Sequence, residues 1–513
     1  MSAIVYDTAE AAFAWYLSRT ITRGRLTLHT RTRTHCFPTS LVSTENVEPD
    51  AELTVYDRAF FLKLLSPAAS PDLVFAEAYM RGDVSFKSRR DMVRFFEIFI
   101  LNRDKPLPSL PTPLATLLSV PIALLTLPAR ALAGLASSDA LSTARRNISA
   151  HYDLGNAMFK VFLSRDMTYS CAIFPSLDAD AKVASSESSP SMGVGALDGA
   201  DAEPDALHDA QIRKLQHIIR KADIQPGHRV LEIGSGWGSL ALQIVRTIPD
   251  TTVDTITLST EQAEYIQELL LQDSKSVEKM NGNSSQMAIG DRLRVHLMDF
   301  RVLPQTWEGV FDRVVSVEMV EAIGPALYEV RLLRLKALSE VVSLTSITAA
   351  ALLQDDRLGT QAGHGRRRRA EHHHPGGALR RVHQGRGLHP QILFPGGVLP
   401  TVTQLTSAVV SGSAARLVVE SVTNIGPHYA RTLREWRRRF EAGFRSIEDA
   451  LKEKYPEVMN DTEGGQQEIA MFRRKWVYYF CYCEAGFNMR VLGDYIVTFS
   501  REGNVEYSCE TFA

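Results

Sequence analysis

The sequence predicts an α/β protein in two folded units: a C-terminal doubly wound domain built on a parallel sheet, behind a smaller N-terminal α+β domain. Three observations predict it. The chain has 513 residues, well beyond the ~100–200 residues of one ordinary domain. Strand-like and helix-like segments alternate from Ala210 to Val317, the rhythm of a parallel sheet covered by helices. Within that run an apolar strand at Arg229–Ile233 enters the turn Gly234-Ser-Gly-Trp-Gly238 and then a helix. Hydrophobic residues at 45% and charged residues at 23% exclude a wholly disordered or fibrous chain.

The N-terminal domain is expected over residues 1–105. Arg25-Leu-Thr-Leu-His-Thr30 alternates as a strand, and Ala51 to Asp57 gives a second. Ala59–Leu65 and Met92–Ile100 carry apolar residues at three- and four-residue spacing, as helices do. Residues 106–144 read as an apolar, proline-rich linker. Pro106 to Ala129 holds no charged residue and reaches the ~20 residues of a spanning helix. Six prolines interrupt it, which favours a linker or an interfacial hairpin.

The catalytic domain is expected over 145–513. Its elements are helix Ala210–Ala222, strand Arg229–Ile233, helix Ser239–Thr247, strand Thr252–Leu258, helix Thr260–Leu271, and strands Arg294–Met298 and Phe311–Val317. Two polar segments, near 178–206 and 274–286, lack the pattern and read as disordered insertions.

Lys plus Arg count 57 against 59 Asp plus Glu, a formal charge of −2, which argues against a nucleic-acid partner. Five cysteines (Cys36, Cys171, Cys481, Cys483 and Cys509) are too few for a disulfide scaffold and read as reduced intracellular thiols. Met1 to Leu17 carries Asp7 and Glu10 and no basic stretch, so no secretory leader is expected. Cys481 and Cys483 lack a second pair and sit in an aromatic run; they read as core, and no metal is expected. Arg431 to Arg439 puts cations on a helix, open to two readings, a solvated face or contact with anionic headgroups.

The glycine turn after Ile233 lets a backbone approach a ligand, with free N–H groups at the helix start beyond it. Glu232 inside the strand and the compact Gly-x-Gly-x-Gly separate it from the dinucleotide fingerprint. The turn resembles the first motif of class I S-adenosylmethionine (SAM) methyltransferases, a Rossmann-like fold. Further motifs lie on both sides: Asn147–Asn156, Met167–Phe174, Ile256–Gln262, Met298–Arg301, Val317–Gly324, Phe394–Pro400, Asn424–Tyr429 and Tyr482–Phe487. In this order they resemble the cyclopropane-fatty-acyl-phospholipid synthases and their mycolic acid relatives, from about Arg25 to Thr498.

The resemblance implies transfer of a methylene group from SAM to a cis double bond of an unsaturated phospholipid acyl chain, closing a cyclopropane ring. An alkene is a weak nucleophile, so the reacting carbons must be held in line with water excluded. Attack leaves a carbocation, and a base must take a proton from the new methyl. The family uses bound bicarbonate, and by similarity its pocket here includes Cys171, Glu321 and Tyr429. For SAM, Gly234, Gly236 and Trp237 match the loop, Tyr169 and Ser170 the segment closing over it, Leu258 and Gln262 the ribose side, and Asp299 and Phe300 the adenine side. Two departures stand out: Ser235 where relatives often have Cys, and Ala322 where His commonly follows the glutamate. The resemblance further implies a cytoplasmic protein peripherally associated with membrane, and leaves a homodimer open. The competing readings are a catalytically dead lipid-binding relative and a lipid C-methyltransferase making a methyl-branched chain.

From about Val330 to Leu393 the resemblance vanishes. The tract holds Gly365-Arg-Arg-Arg-Arg369, His372-His-His-Pro375 and six of the 14 histidines. A metal-binding insertion and a basic disordered arm are alternatives. Codon arithmetic favours a third reading. His-His-His-Pro requires CAY CAY CAY CCN, and a shift of one nucleotide permits Ile-Thr-Ile-Pro, which the family shows at this place. The tract thus reads as a frame-shifted translation, and a chain without it would be more acidic. As written, it is expected to leave out a central strand and a wall of the pocket, because four adjacent arginines cannot be buried unpaired.

Overall fold

A computed structural model describes residues 3–38, 48–65, 71–104, 155–177, 205–280, 289–300, 303–319, 341–349 and 399–505. The 106–144 segment and most of the 178–206 and 330–393 tracts lie outside these residues. Among the described residues no helix is long and apolar enough to cross a membrane.

The described residues cluster in two units, and the division is not the linear one expected at residue 145: Glu441–Met489 groups with the N-terminal unit. That unit holds a four-stranded sheet in the order β2-β1-β3-β4, from β1 (Arg25–His29), β2 (Thr34–Phe37), β3 (Asp50–Val55) and β4 (Val84–Phe86). Helices pack on the sheet through their apolar stripes. The expected helix at Met92 begins earlier, at Arg89, because the Ser88 side chain accepts the Asp91 N–H and caps it. It runs to Leu101 and buries Met92, Val93, Phe95, Phe96 and Ile98. Helix Glu463–Asn488 supplies Tyr478, whose ring meets Phe96 edge-on at 5.3 Å. Cys481 and Cys483 are buried on this helix, and burial pushes the Cys483 thiol up to about 12.

The second unit is a seven-stranded sheet in the order β10-β11-β9-β8-β5-β6-β7. Its strands are β5 (Arg229–Ile233), β6 (Thr252–Thr257), β7 (Leu293–Leu297), β8 (Arg313–Val317), β9 (Val341–Ala349), β10 (Leu417–Asn424) and β11 (Leu492–Arg501). Strands β5 to β9 run parallel; β11 is antiparallel to β9, and β10 to β11. The chain winds from β5 outward to β7, then returns to lay β8 on the other side of β5. Ligands of open α/β sheets bind at such a switch point, beyond the strands' carboxyl ends. Leu231, Ile233, Ile256, Val314, Val409 and Phe499 form the core beneath it.

Two sequence expectations are corrected. The helix from Thr260 continues to Met280, through the start of the segment expected to be disordered at 274–286. The central strand position is also filled: Val341–Ala349 pairs with β8 and β11. This segment is uncharged and rich in β-branched residues, which suits a strand buried in a sheet.

Candidate active site

The Gly loop leaves β5 with Gly234 at φ +92°, Gly236 at φ +49° and Gly238 at φ +86°, a left-handed path that glycine takes without strain. The Gly234 and Ser235 N–H groups both donate to the Ile256 carbonyl at 3.0 Å, tying the turn to the end of β6. A Cβ on Gly236 would meet nothing within 4 Å among the described residues, so the loop is open to them there. A Cβ on Gly234 would lie 3.2 Å from Met319, just after β8. Trp237 donates its indole N–H to Asn156 at 2.6 Å. Phe159 joins Trp237 to Tyr169, with ring centroids at 4.9 and 5.2 Å.

Residues 168–174 belong to no helix or strand and are held by side chains of two helices. From Ala206–Lys221, Gln211 donates to the Ser170 carbonyl at 2.8 Å and Lys214 to the Ser170 hydroxyl at 2.7 Å. From Gly426–Ala442, the Thr432 hydroxyl accepts the Ala172 N–H at 3.1 Å. Tyr169 stacks on the buried Trp436 ring at 5.0 Å, and Tyr429 meets that ring edge-on.

This bracing brings Cys171 and Tyr429 to one carboxylate, that of Glu318. Its Oε1 accepts the Cys171 backbone N–H at 2.8 Å and its Oε2 accepts the Tyr429 hydroxyl at 2.6 Å. Glu318 directly follows β8 and has φ +48°, a left-handed conformation that a non-glycine side chain resists. Burial raises its pKa; the bonds from Tyr429 and Cys171, and the Lys214 charge, oppose that rise. Burial also drives the Cys171 thiol well above its ordinary value, with Asp494 and Glu318 adding to the effect. The thiol is therefore neutral and no nucleophile. Burial lowers the Lys214 pKa, against the pull of Glu318, Asp166, Cys171 and Asp494. Asp494, on β11, is fully buried and interacts with both Glu318 and Cys171.

Glu321, the glutamate assigned by resemblance, lies outside the described residues. Of the other assigned residues, Cys171 and Tyr429 meet at Glu318, while Gly234, Gly236 and Trp237 line the loop. Leu258 lies exposed beyond β6, and Gln262 accepts the Thr257 hydroxyl at 2.8 Å. Asp299 and Phe300 follow β7, whose end is tied to β6 by the Met298 N–H to the Thr257 carbonyl at 3.0 Å. Sequence reasoning missed Glu318, Asp494 and Lys214. The available signals were an acid directly after a buried strand, for Glu318, and a lone acid within an apolar strand, for Asp494; Lys214 follows Arg213 in a helix with several charges, and no local pattern marks it. The arginine run takes neither expected role throughout: Arg431 stacks over Phe174 at 4.2 Å and Arg439 pairs with Asp205.

The family described as mycolic acid cyclopropane synthetase matches residues 139–494. The chain is 30% identical over 364 residues to tuberculostearic acid methyltransferase UfaA1 of Mycobacterium tuberculosis, covering 70% of this chain and 66% of that protein. It is 27% identical over 354 residues to cyclopropane-fatty-acyl-phospholipid synthase of Escherichia coli, covering 68% of this chain and 66% of that one. The chain thus spans just under two thirds of the length of these two curated relatives. Among solved structures, the cyclopropane synthase MmaA2 of Mycobacterium tuberculosis aligns over 70% of this chain and 98% of its own, at 22% identity and a TM-score of 0.45.

Proposed function

The chain belongs to the mycolic acid cyclopropane synthetase family, and from that premise we propose that it adds a one-carbon unit from SAM across the cis double bond of a phospholipid acyl chain, closing a cyclopropane ring. The observation that carries the reading is the shared location of the Gly loop and the Cys171–Glu318–Tyr429 cluster, beyond β5 and β8 at the switch point.

The residues present fit SAM. Gly236 has open space beside it among the described residues, Leu258 offers an exposed apolar surface beyond β6, and the loop backbone can approach a ligand closely. Gly234, Gly236 and Trp237 would hold it from the loop, Tyr169 and Ser170 from the braced segment, and Leu258, Gln262, Asp299 and Phe300 from the strand ends. When bound, SAM would supply an electrophilic methyl carbon to the alkene π pair, with the thioether sulfur as the leaving group that keeps the C–S electron pair. The rings of Phe159, Phe162, Tyr169, Tyr429 and Trp436 pack on one another beside the Glu318 carboxylate, an aromatic cluster that would exclude water and favour positive charge developing nearby. Of the residues that the resemblance assigns to bicarbonate, Cys171 and Tyr429 come together, the Cys171 N–H and the Tyr429 hydroxyl both donating to Glu318, and Glu321 lies outside the described residues.

The substrate argues for a cytoplasmic protein working at a membrane surface. The test is incubation with methyl-labelled SAM and dioleoylphosphatidylethanolamine vesicles, followed by mass spectrometry and proton NMR of the lipids. Gain of CH2 with loss of olefinic protons supports cyclopropanation. Absence of label from every lipid, with SAM still bound, refutes it and favours the inactive lipid-binding relative. The name of the relative UfaA1 favours a second reading, a methyl-branched product; label uptake together with retained olefinic signal or a branched methyl resonance would establish it.

A further inference from the structure

We infer that His208 is a positioning residue for the cofactor: through Asp166 and Thr168 it pins the segment 166–170 to Ser239, the first residue of the helix beyond the Gly loop, and so sets how tightly SAM is held. The inference rests on the reading above, in which the Gly loop and this segment hold SAM. All four residues belong to the second unit, and none of them is part of the Cys171–Glu318–Tyr429 cluster.

The Asp166 carboxylate stands at the centre. Its Oδ1 lies 2.7 Å from His208 Nδ1, and its Oδ2 accepts the Thr168 hydroxyl. The Thr168 hydroxyl also bonds the Ser239 hydroxyl at 2.9 Å. Thr168 is buried, and the Asp166 and His208 side chains are nearly so. Burial works to raise the Asp166 pKa, but the bonds from His208 and from nearby hydroxyls outweigh it and hold the acid below its ordinary range. The carboxylate is therefore ionised and only accepts, so His208 Nδ1 carries the hydrogen it gives. His208 is placed by its own helix, Ala206–Lys221, where the Asp205 side chain accepts the Leu207 and His208 N–H groups at 3.1 Å and caps the first turn.

Two further features fit a support under load. Met167, between Asp166 and Thr168, has φ +57°, a left-handed backbone that persists where surrounding structure enforces it. The bonds made by its two neighbours do so here. At the other end, Gly238 precedes helix Ser239–Thr247 without a capping side chain, and Thr168 supplies a polar hold on the first residue from outside. Tyr169 and Ser170 follow Thr168 directly, so a slip of Thr168 from Ser239 would move both against the Gly loop. A slack segment binds more weakly because the ligand must order it. The order of the groups also excludes a nucleophile. A hydroxyl is activated when imidazole stands between it and the carboxylate; here the carboxylate stands between, so Thr168 is anchored.

The test measures SAM affinity by equilibrium dialysis, and KM for SAM and kcat by label transfer to dioleoylphosphatidylethanolamine vesicles. His208→Leu and Thr168→Val each remove a bond to an ionised carboxylate and should raise the Kd for SAM roughly tenfold or more. Their kcat at saturating SAM should fall far less, the mark of lost binding rather than lost chemistry. His208→Asn, which keeps an N–H near the place of Nδ1, and Thr168→Ser, which keeps the hydroxyl, should return the affinity to within a few-fold of wild type. Because the links act in series, His208→Leu/Thr168→Val should lose little more than the worse single variant. Ser239→Ala removes only the last link and should weaken SAM in the same sense, which keeps the inference testable if His208→Leu or Thr168→Val fails to fold. Unchanged SAM affinity in the folded variants overturns the inference. So do losses that multiply in the double variant, that the conservative variants do not restore, or that fall on kcat alone. A wild type that binds no SAM sinks the proposed function and this inference together. A wild type that binds SAM but labels no lipid sinks the lipid reading alone, and the dialysis series then decides this one.

Discussion

Glu232 and Glu318 are both desolvated acids at the β5–β8 switch point, and their surroundings give them different work. Glu232 lies inside β5, sealed between neighbouring strands, with the Thr255 hydroxyl donating to it at 2.5 Å. Burial pushes its pKa up to about 8, so near neutral pH it is largely a neutral acid within the sheet. Glu318 stands one residue past β8, partly open and held by donors from two distant segments. Burial acts on both. Orientation, access and neighbours decide which of them gathers groups from distant segments.

The comparison can be broken at several points. The largest expected effect separates the two acids by readout. Glu232→Gln should leave kcat within a few-fold, where Glu318→Gln, which weakens the hold on Cys171 and Tyr429, should lower it well beyond that; equal losses in both would erase the distinction. Glu232 should show itself in stability instead. Its folded pKa lies above the ordinary 4.5, so the native state favours the protonated form. The stability it contributes is present below pH ~4.5 and is lost as pH rises through about 8, a swing on the order of 5 kcal/mol. Denaturation midpoints of wild type should fall across that window and those of Glu232→Gln should fall less. Parallel slopes would show that the acid is not held neutral.

Gly234→Ala tests the link between the two sites. It places a side chain at φ +92° and within 3.2 Å of Met319, which should cost ~1–3 kcal/mol and weaken SAM binding in dialysis. A variant as stable as wild type would mean the loop relaxes freely. Thr432→Val is the gentlest probe, since it removes the acceptor of the buried Ala172 N–H beside Cys171. A loss of about 1–2 kcal/mol in thermal unfolding is expected from one unsatisfied buried donor, together with a modest drop in kcat as Cys171 loosens on Glu318. Unchanged stability would show that the braced segment finds another partner.

The residues of the Gly loop were legible because each acts through its own backbone. A strand, a left-handed turn and a helix start are local events, and Gly234 and Gly236 announce them by type. The order of motifs likewise exposed the family. Glu318 was not legible. It sits three residues from Glu321 in Val317-Glu-Met-Val-Glu-Ala322, and either acid suits a strand end by sequence alone. Helix Thr260–Met280 passing into a polar segment, and Val341–Ala349 filling the central strand position of the sheet, were hidden for a related reason. Polarity predicts exposure better than it predicts disorder, and any β-branched run of suitable length can take an open strand position.

By itself, then, the sequence determined the doubly wound plan, the glycine turn and the kinship of the chain, all set by short-range periodicity, backbone freedom and ordered motifs. Only the tertiary structure decided which carboxylate receives the Cys171 N–H and the Tyr429 hydroxyl, because those three groups lie more than a hundred residues apart in sequence. They meet only when parallel strands bring their carboxyl ends to one edge of the sheet, and no local pattern records that meeting.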